Sequence, residues 1–254
     1  TENDLYGKTS AIIQIDGTDQ WETTAEDTQT AIVRSFSTEV GFNYQINEHH
    51  SFGARYTPNG SLGDNSQHSW GENIALCNDM EVSRTEFDTK SQGKRGWNHS
   101  VNAYYAGEIG RWAIDFDADY LNNQSRTDQM AEDGSKQDIH SRSVSRSELY
   151  AAKLQASTSF GKGKLSFGPE GTMTERLASF IQSGYSADAH DLIKQKSFAG
   201  FANYSIAFGK WNANAGVRYE HRETDYYQKG IHMKEQSPTY DDFIPTANIS
   251  WANN

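Results

Sequence analysis

Three acids, Asp115, Asp117 and Asp119, recur at a strict spacing of two in this sequence. On an extended strand, residues two apart share a face, so the three carboxylates could line a track for a cation. The favoured reading is plainer: a polar wall or a seat for another domain, with arginines such as Arg55 or Arg218 neutralising the acids, because charges removed from bulk water persist when paired. His49 and His50 are adjacent, so on a strand they point to opposite sides, which is poor spacing for a metal. Gly161-Lys162-Gly163-Lys164 is too short for a phosphate loop and has no helical pattern after it, so it reads as a turn. Ser, His and Asp occur without a nucleophile elbow or a metal-binding helix motif. No catalytic, cofactor-binding or metal-binding residue is assigned, and an enzyme is not expected.

The elements that carry these residues must be strands. Only 35% of the 254 residues are hydrophobic, yet the chain holds 13 Tyr, 12 Phe and 6 Trp. A disordered chain of such polarity would be poor in aromatics. No apolar run approaches the roughly 18 residues of a membrane helix, whereas a membrane strand needs only about ten, with every second one apolar. The net charge of −11 argues against a nucleic-acid partner. The lone Cys77 cannot close an internal disulfide and reads as a tolerated loop residue. The chain opens on Thr1-Glu2-Asn3 without a signal peptide and ends on a strand pattern, which reads as a piece of something longer.

Period-two alternation dominates. Phe198, Gly200, Ala202, Tyr204, Ile206 and Phe208 fall on one face, with Asn203 and Ser205 opposite; after Gly209-Lys210, Trp211, Ala213, Ala215, Val217 and Tyr219 alternate with Asn212, Asn214, Arg218 and Glu220. The pattern predicts about ten strands, near 5–15, 32–46, 50–57, 94–106, 110–123, 139–160, 164–176, 191–208, 210–226 and 240–252. Short turns near 47–50, 107–110, 161–164 and 209–210 alternate with long polar connections near 16–31, 58–93, 124–138, 177–190 and 227–239. A hairpin through Val82 to Phe87 and a short helix near Glu175 to Gln182 are further expectations within these connections. Pro169 and Pro245 interrupt strand patterns and call for bulges or a place near a rim.

A soluble β-sandwich also alternates apolar and polar residues, but it lacks this regular short and long alternation, which is the signature of an antiparallel transmembrane β-barrel with short periplasmic turns and long extracellular loops. In that frame Glu39, Asn43, Arg55, Asp115, Asp117, Asp119, Lys153, Asn203, Arg218 and Glu220 face a lumen. Tyr44, Tyr56, Trp112, Tyr120, Tyr150, Phe160, Phe208, Trp211, Tyr219, Phe243 and Trp251 form aromatic belts at the two lipid interfaces. Asp225, Tyr226 and Tyr227 are the loop candidates for ligand contact, with loop acids Asp16, Asp19, Glu22, Glu26 and Asp27 beside them.

The stretches Phe198-Ala199-Gly200-Phe201-Ala202-Asn203-Tyr204, Gly209-Lys210-Trp211, Ala215-Gly216-Val217-Arg218-Tyr219-Glu220-His221 and Tyr240-Asp241-Asp242-Phe243-Ile244-Pro245 resemble late barrel strands of TonB-dependent outer-membrane receptors, especially the barrel family common in Bacteroidetes. Gly41-Phe42-Asn43-Tyr44-Gln45-Ile46-Asn47 and Ser51-Phe52-Gly53-Ala54-Arg55-Tyr56 fit the same barrel. The resemblance implies that residues 1–254 are part of a barrel of about 22 strands, without its plug domain, its TonB-binding segment or its C-terminal strand. It implies a bacterial outer-membrane location, lipid, plug and the TonB system as partners, and uptake of a small molecule, glycan or peptide. The rival is a structural or adhesive β protein that binds a partner through Tyr-rich loops.

Overall fold

In a computed structural model the chain is described over residues 2–15, 19–132, 138–184 and 186–251, with side chains from Gln20 onward. The strands are β1 (Glu2–Ile15), β2 (Asp19–Ile32), β3 (Ser35–Ser37), β4 (Val40–Asn47), β5 (His50–Ser61), β6 (Asn65–Cys77), β7 (Met80–Gly93), β8 (Trp97–Ile109), β9 (Trp112–Glu132), β10 (Asp138–Phe160), β11 (Gly163–Gln182), β12 (Ala189–Phe208), β13 (Trp211–Gln228), β14 (Ile231–His232) and β15 (Thr239–Trp251), with one 3-10 turn at Lys234–Gln236. Every pairing is antiparallel. Among the described residues no helix is long and apolar enough to cross a membrane; strands carry that role.

One sheet with two levels results. In the lower level the hairpins β4-β5-β8-β9-β10-β11-β12-β13-β15 run side by side, and no described pairing joins β4 to β15, so the arc is open. Its tight turns fall where the pattern places them: residues 48–49, 110–111, 161–162 and 209–210. Gly161 and Gly209 have φ of +60° and +59°, the left-handed geometry that two-residue hairpin turns require. In the upper level β1, β2, β6 and β7 form a wing that joins the upper part of β9 through β7.

The wing corrects the expected strand count and loops. Segment 16–31 is largely β2, and 58–93 holds the end of β5 plus the hairpin β6-β7 turning at Asn78-Asp79. That hairpin is wider than the expected one, with Val82 to Phe87 supplying a single strand of it. Cys77 closes β6 as a free, half-buried thiol opposite Met80, not in a loop. β9 and β11 run far beyond their expected ends, and Glu175 to Gln182 is strand rather than helix. The physical reason is that water covers both faces of these hairpins. Neither face is apolar, so the alternation signal vanishes while Thr- and Ser-rich segments still fit the ladder.

No apolar interior exists to make a sandwich. Ala199, 1% exposed, is the sole buried hydrophobic residue among those described, whereas Phe198 and Phe243 are 60% and 70% exposed. The hydrophobic side chains therefore point out of a single layer.

The prolines behave differently from expectation. At Pro169 the β10-β11 ladder stops after Lys153↔Glu170 and resumes at Ala156↔Phe167 in unchanged register, an interruption rather than a bulge. Pro245 lies inside β15, away from a rim, but on the outermost strand, where a missing N–H is tolerated.

Candidate functional site

Antiparallel partners share a face, so registers sort the side chains of the arc. Asn43↔Gly53↔Tyr104↔Asp117↔Lys153↔Glu170↔Ala199↔Glu220 is one continuous row across eight strands. Arg55, Asp115, Asp119, Asn203 and Arg218 lie at even spacing from it on the same face, and Glu39 meets Arg55 there at 3.9 Å. All ten predicted wall residues thus share one surface.

At the centre of that surface, two carboxylates flank a methyl group: Ala199 separates Glu170 from Glu220. Arg218 bridges them, donating Nη1 and Nη2 to Glu170 at 3.0 and 3.3 Å and Nε and Nη2 to Glu220 at 3.2 and 3.1 Å. Arg222 donates Nε to Glu220 at 3.2 Å, and the Ser197 hydroxyl donates to the same carboxylate at 3.1 Å. Glu220 is only 8% exposed. The cluster sits in a local hollow of the polar face, lined by Glu170, Ser197, Arg218, Glu220 and Arg222.

The sequence missed Glu170, Arg222 and Ser197. Arg222 was legible as the next step of the Arg218, Glu220 alternation; Glu170 and Ser197 depend on register, which no local pattern prints. The acid track also has different neighbours from those expected. Arg55 and Arg218 pair with Glu39 and with Glu170 and Glu220, and among the described residues no cation pairs with Asp115, Asp117 or Asp119. Asp119 instead accepts from Asn102 Nδ2 at 2.8 Å. Lys153, opposite Asp117, holds its ammonium 5.0 Å from the Phe201 ring centre. The two histidines separate as adjacent strand residues should: His49 contacts Glu108 and His50 contacts Tyr105.

The opposite face carries all eleven predicted belt aromatics. Near the tight turns stand Tyr44 against Phe52 (5.6 Å), Trp112 against Phe167 (5.7 Å), Phe160 against Tyr204 (6.4 Å) and Trp211 against Trp251 (6.4 Å), with Phe208 opposite Trp211. Arg111 and Lys210 lie over the rings of Trp112 and Trp251. The second belt is Tyr56, Tyr120, Tyr150, Tyr219 and Phe243; Tyr120 and Tyr150 are in contact at 4.9 Å, and Tyr219 donates to Asp241 at 2.6 Å. From β9 to β15 the belts are eight to ten residues apart, as from Trp211 to Tyr219 and from Phe160 to Tyr150, while Tyr44, level with Phe52, is only four from Tyr56. The wider spacing is about 26–33 Å along a strand, or about 20–25 Å once tilted by roughly 40°, the height of a barrel's apolar band.

Asp225, Tyr226 and Tyr227 do not lie in a loop: they belong to β13. Tyr226 is on the polar face and donates to Asp191 at 2.6 Å, while Tyr227 packs on His232 and Asp225 meets His232 on the outer face. Strand pairing continues here because β12 runs opposite β13 as far as Gln228, and β14 turns back onto Tyr227 and Gln228. Of the loop acids, Glu22, Glu26 and Asp27 are in β2; Asp16 lies outside the described residues, as does the side chain of Asp19.

Where the wing meets the arc, three chain passages are tied together. Ser61 donates Oγ to the Arg34 carbonyl at 2.6 Å, Arg34 N–H donates to Asn65 at 2.7 Å, and Asp64 accepts from Arg95 N–H at 2.9 Å and Lys94 Nζ at 3.2 Å. The Arg95 amide, then Lys94, hold the Asp64 carboxyl below its ordinary range.

The family profile of the outer membrane protein beta-barrel family matches residues 78–254. Among solved structures, the chain is similar to the ferric citrate transporter FecA in unliganded form, at 12% identity and TM-score 0.48, covering 100% of this chain and 42% of that one. It is similar to the alcaligin outer membrane receptor FauA from Bordetella pertussis, at 11% and 0.48, covering 100% and 40%, and to the copper transporter OprC, at 11% and 0.49, covering 98% and 42%. It thus spans about two-fifths of the length of these proteins. No curated protein matches the sequence. An all-β antiparallel sheet with a lipid-matched apolar face and a profile match over most of its length places the chain in the outer membrane, and it belongs to the outer membrane protein β-barrel family.

Proposed function

We propose that the chain is part of the wall of a TonB-dependent receptor that takes up a nutrient across the outer membrane, acting by binding and passage rather than catalysis. The observation that carries this reading is the ionic cluster of Arg218, Arg222, Glu170 and Glu220 on the polar face. The interior of an outer-membrane barrel is polar, and one that holds a plug and a hydrated path needs fixed, mutually satisfied charges. The open arc supports the same reading, since eight strands suffice to close a small barrel and nine here leave both margins unpaired among the described residues. The tall hairpins above the upper belt would recruit the ligand, an iron chelate, glycan, peptide or cofactor.

The adhesive alternative rested on a Tyr-rich loop, and Tyr226 and Tyr227 sit in a paired strand instead. The deciding experiment uses the full-length protein: binding of the isolated periplasmic domain of TonB, together with ligand accumulation in cells that stops when the proton-motive force is collapsed. Surface binding of ligand without energised accumulation would favour the adhesive reading.

A further inference from the structure

Above the upper belt, strands β2, β6, β7, β9, β10 and β11 line a concavity of about 1090 Å³ on their outer face. Register puts Arg142, Asp128, Lys90, His68, Met130 and Ile181 on that outer face. Asp128 is eight residues beyond Tyr120, about 26 Å along the strand, so the hollow stands outside the barrel wall and clear of the hydrocarbon.

The formal charges of its lining cancel, Lys90 and Arg142 against Asp128 and Asp188. Arg142 Nε donates to Asp128 at 2.6 Å, and Arg126 Nη2 donates to the second oxygen at 3.1 Å. His68 Nε2 meets Asp88 at 2.8 Å, and Lys90 Nζ lies 3.4 Å from the same carboxylate. A ligand of net charge gains little from such a surface, but donors remain: a guanidinium has five N–H groups, and Arg142 commits one of them. In the same hollow Met130 and Ile181, the latter 48% exposed, present bare hydrocarbon. Hydrogen-bonding edges beside apolar patches match a sugar ring, whose rim is hydroxyl and whose faces are C–H. The size suits a small ligand, whereas a protein partner would meet a flatter and broader surface.

We infer that this hollow binds a neutral saccharide, carried by a neighbouring glycolipid or free at the cell surface, separately from whatever crosses the lumen. The inference rests on the membrane orientation and not on uptake, so failure to bind TonB leaves it standing.

The test uses full-length protein in phospholipid nanodiscs, probed against an array of immobilised neutral oligosaccharides. Arg142→Ala and Met130→Glu, each verified as folded by circular dichroism and heat-modifiable mobility, should weaken the best hit about tenfold or more. Arg84→Ala at the far tip of the wing should leave it unchanged. Adding a neutral glycolipid to the nanodiscs separates the sources: competition with the array marks a lipid-borne sugar, and no competition marks a free one. No hit on the array, or a hit indifferent to both substitutions, overturns the inference.

Discussion

Glu220 is nearly enclosed by partners of opposite sign, and that makes it the most sensitive position on the polar face. Glu220→Ala strands Arg218 and Arg222, although Arg218 keeps Glu170. Losing hydrogen bonds to a charged group in a partly enclosed site costs about 1–3 kcal/mol. The shift in urea midpoint of the detergent-folded protein checks this, and Arg222→Ala, which leaves no carboxylate bare, should cost less. Which residues share a face was legible residue by residue, because alternation alone decides it: the ten polar positions lie on one face and the eleven aromatic positions on the other. Partners were not legible. Arg55 and Arg218 answer Glu39 and Glu170 instead of the acid track, because the partner of a strand residue is fixed by where the turns fall.

Among elements, the lower strands and tight turns could be read from sequence and the wing could not. β2 carries Thr23, Thr24, Thr28 and Thr30 with acids between them, a composition that reads as loop until a neighbouring strand supplies hydrogen-bond partners. Its attachment is held by Asp64, and this makes the wing acid-sensitive. The folded carboxyl binds its proton less readily than the ordinary value of 3.8. The contribution is therefore complete above that value and disappears as pH falls through the lower folded one. Measured against the intrinsic exchange rate at each pH, the protection of amides at residues 62–65 and 94–96 should fall at about pH 3 relative to pH 6. Asp64→Asn should exchange faster at neutral pH and lose most of the acid response; an unchanged profile would show that Asp64 does not pin the junction.

For the molecule as a whole, the decisive feature is which solvent touches which side. Leu154 and Gln155 are adjacent in β10, one on each face. Leu154→Arg should destabilise the bilayer-folded protein by about 2–4 kcal/mol, the cost of a charge near the midplane, while Gln155→Arg should change it by less than about 1 kcal/mol. Reversed or equal effects in folding titrations into lipid vesicles would sink the orientation. This was the most legible level of all, because a chain with abundant aromatics and no buried core has few places to put them.

The knot of Ser61, Arg34, Asp64 and Asn65 has one more implication. Three of the four wing strands are continuous with staves of the wall, β2 with β3 and β4, β6 with β5, and β7 with β8, across breaks of two or three residues. Hairpin and stave are one continuous ribbon, clamped where it crosses the waterline. Such a ribbon does not swing like a flap: a force applied to its upper end travels as shear along the backbone into the staves below.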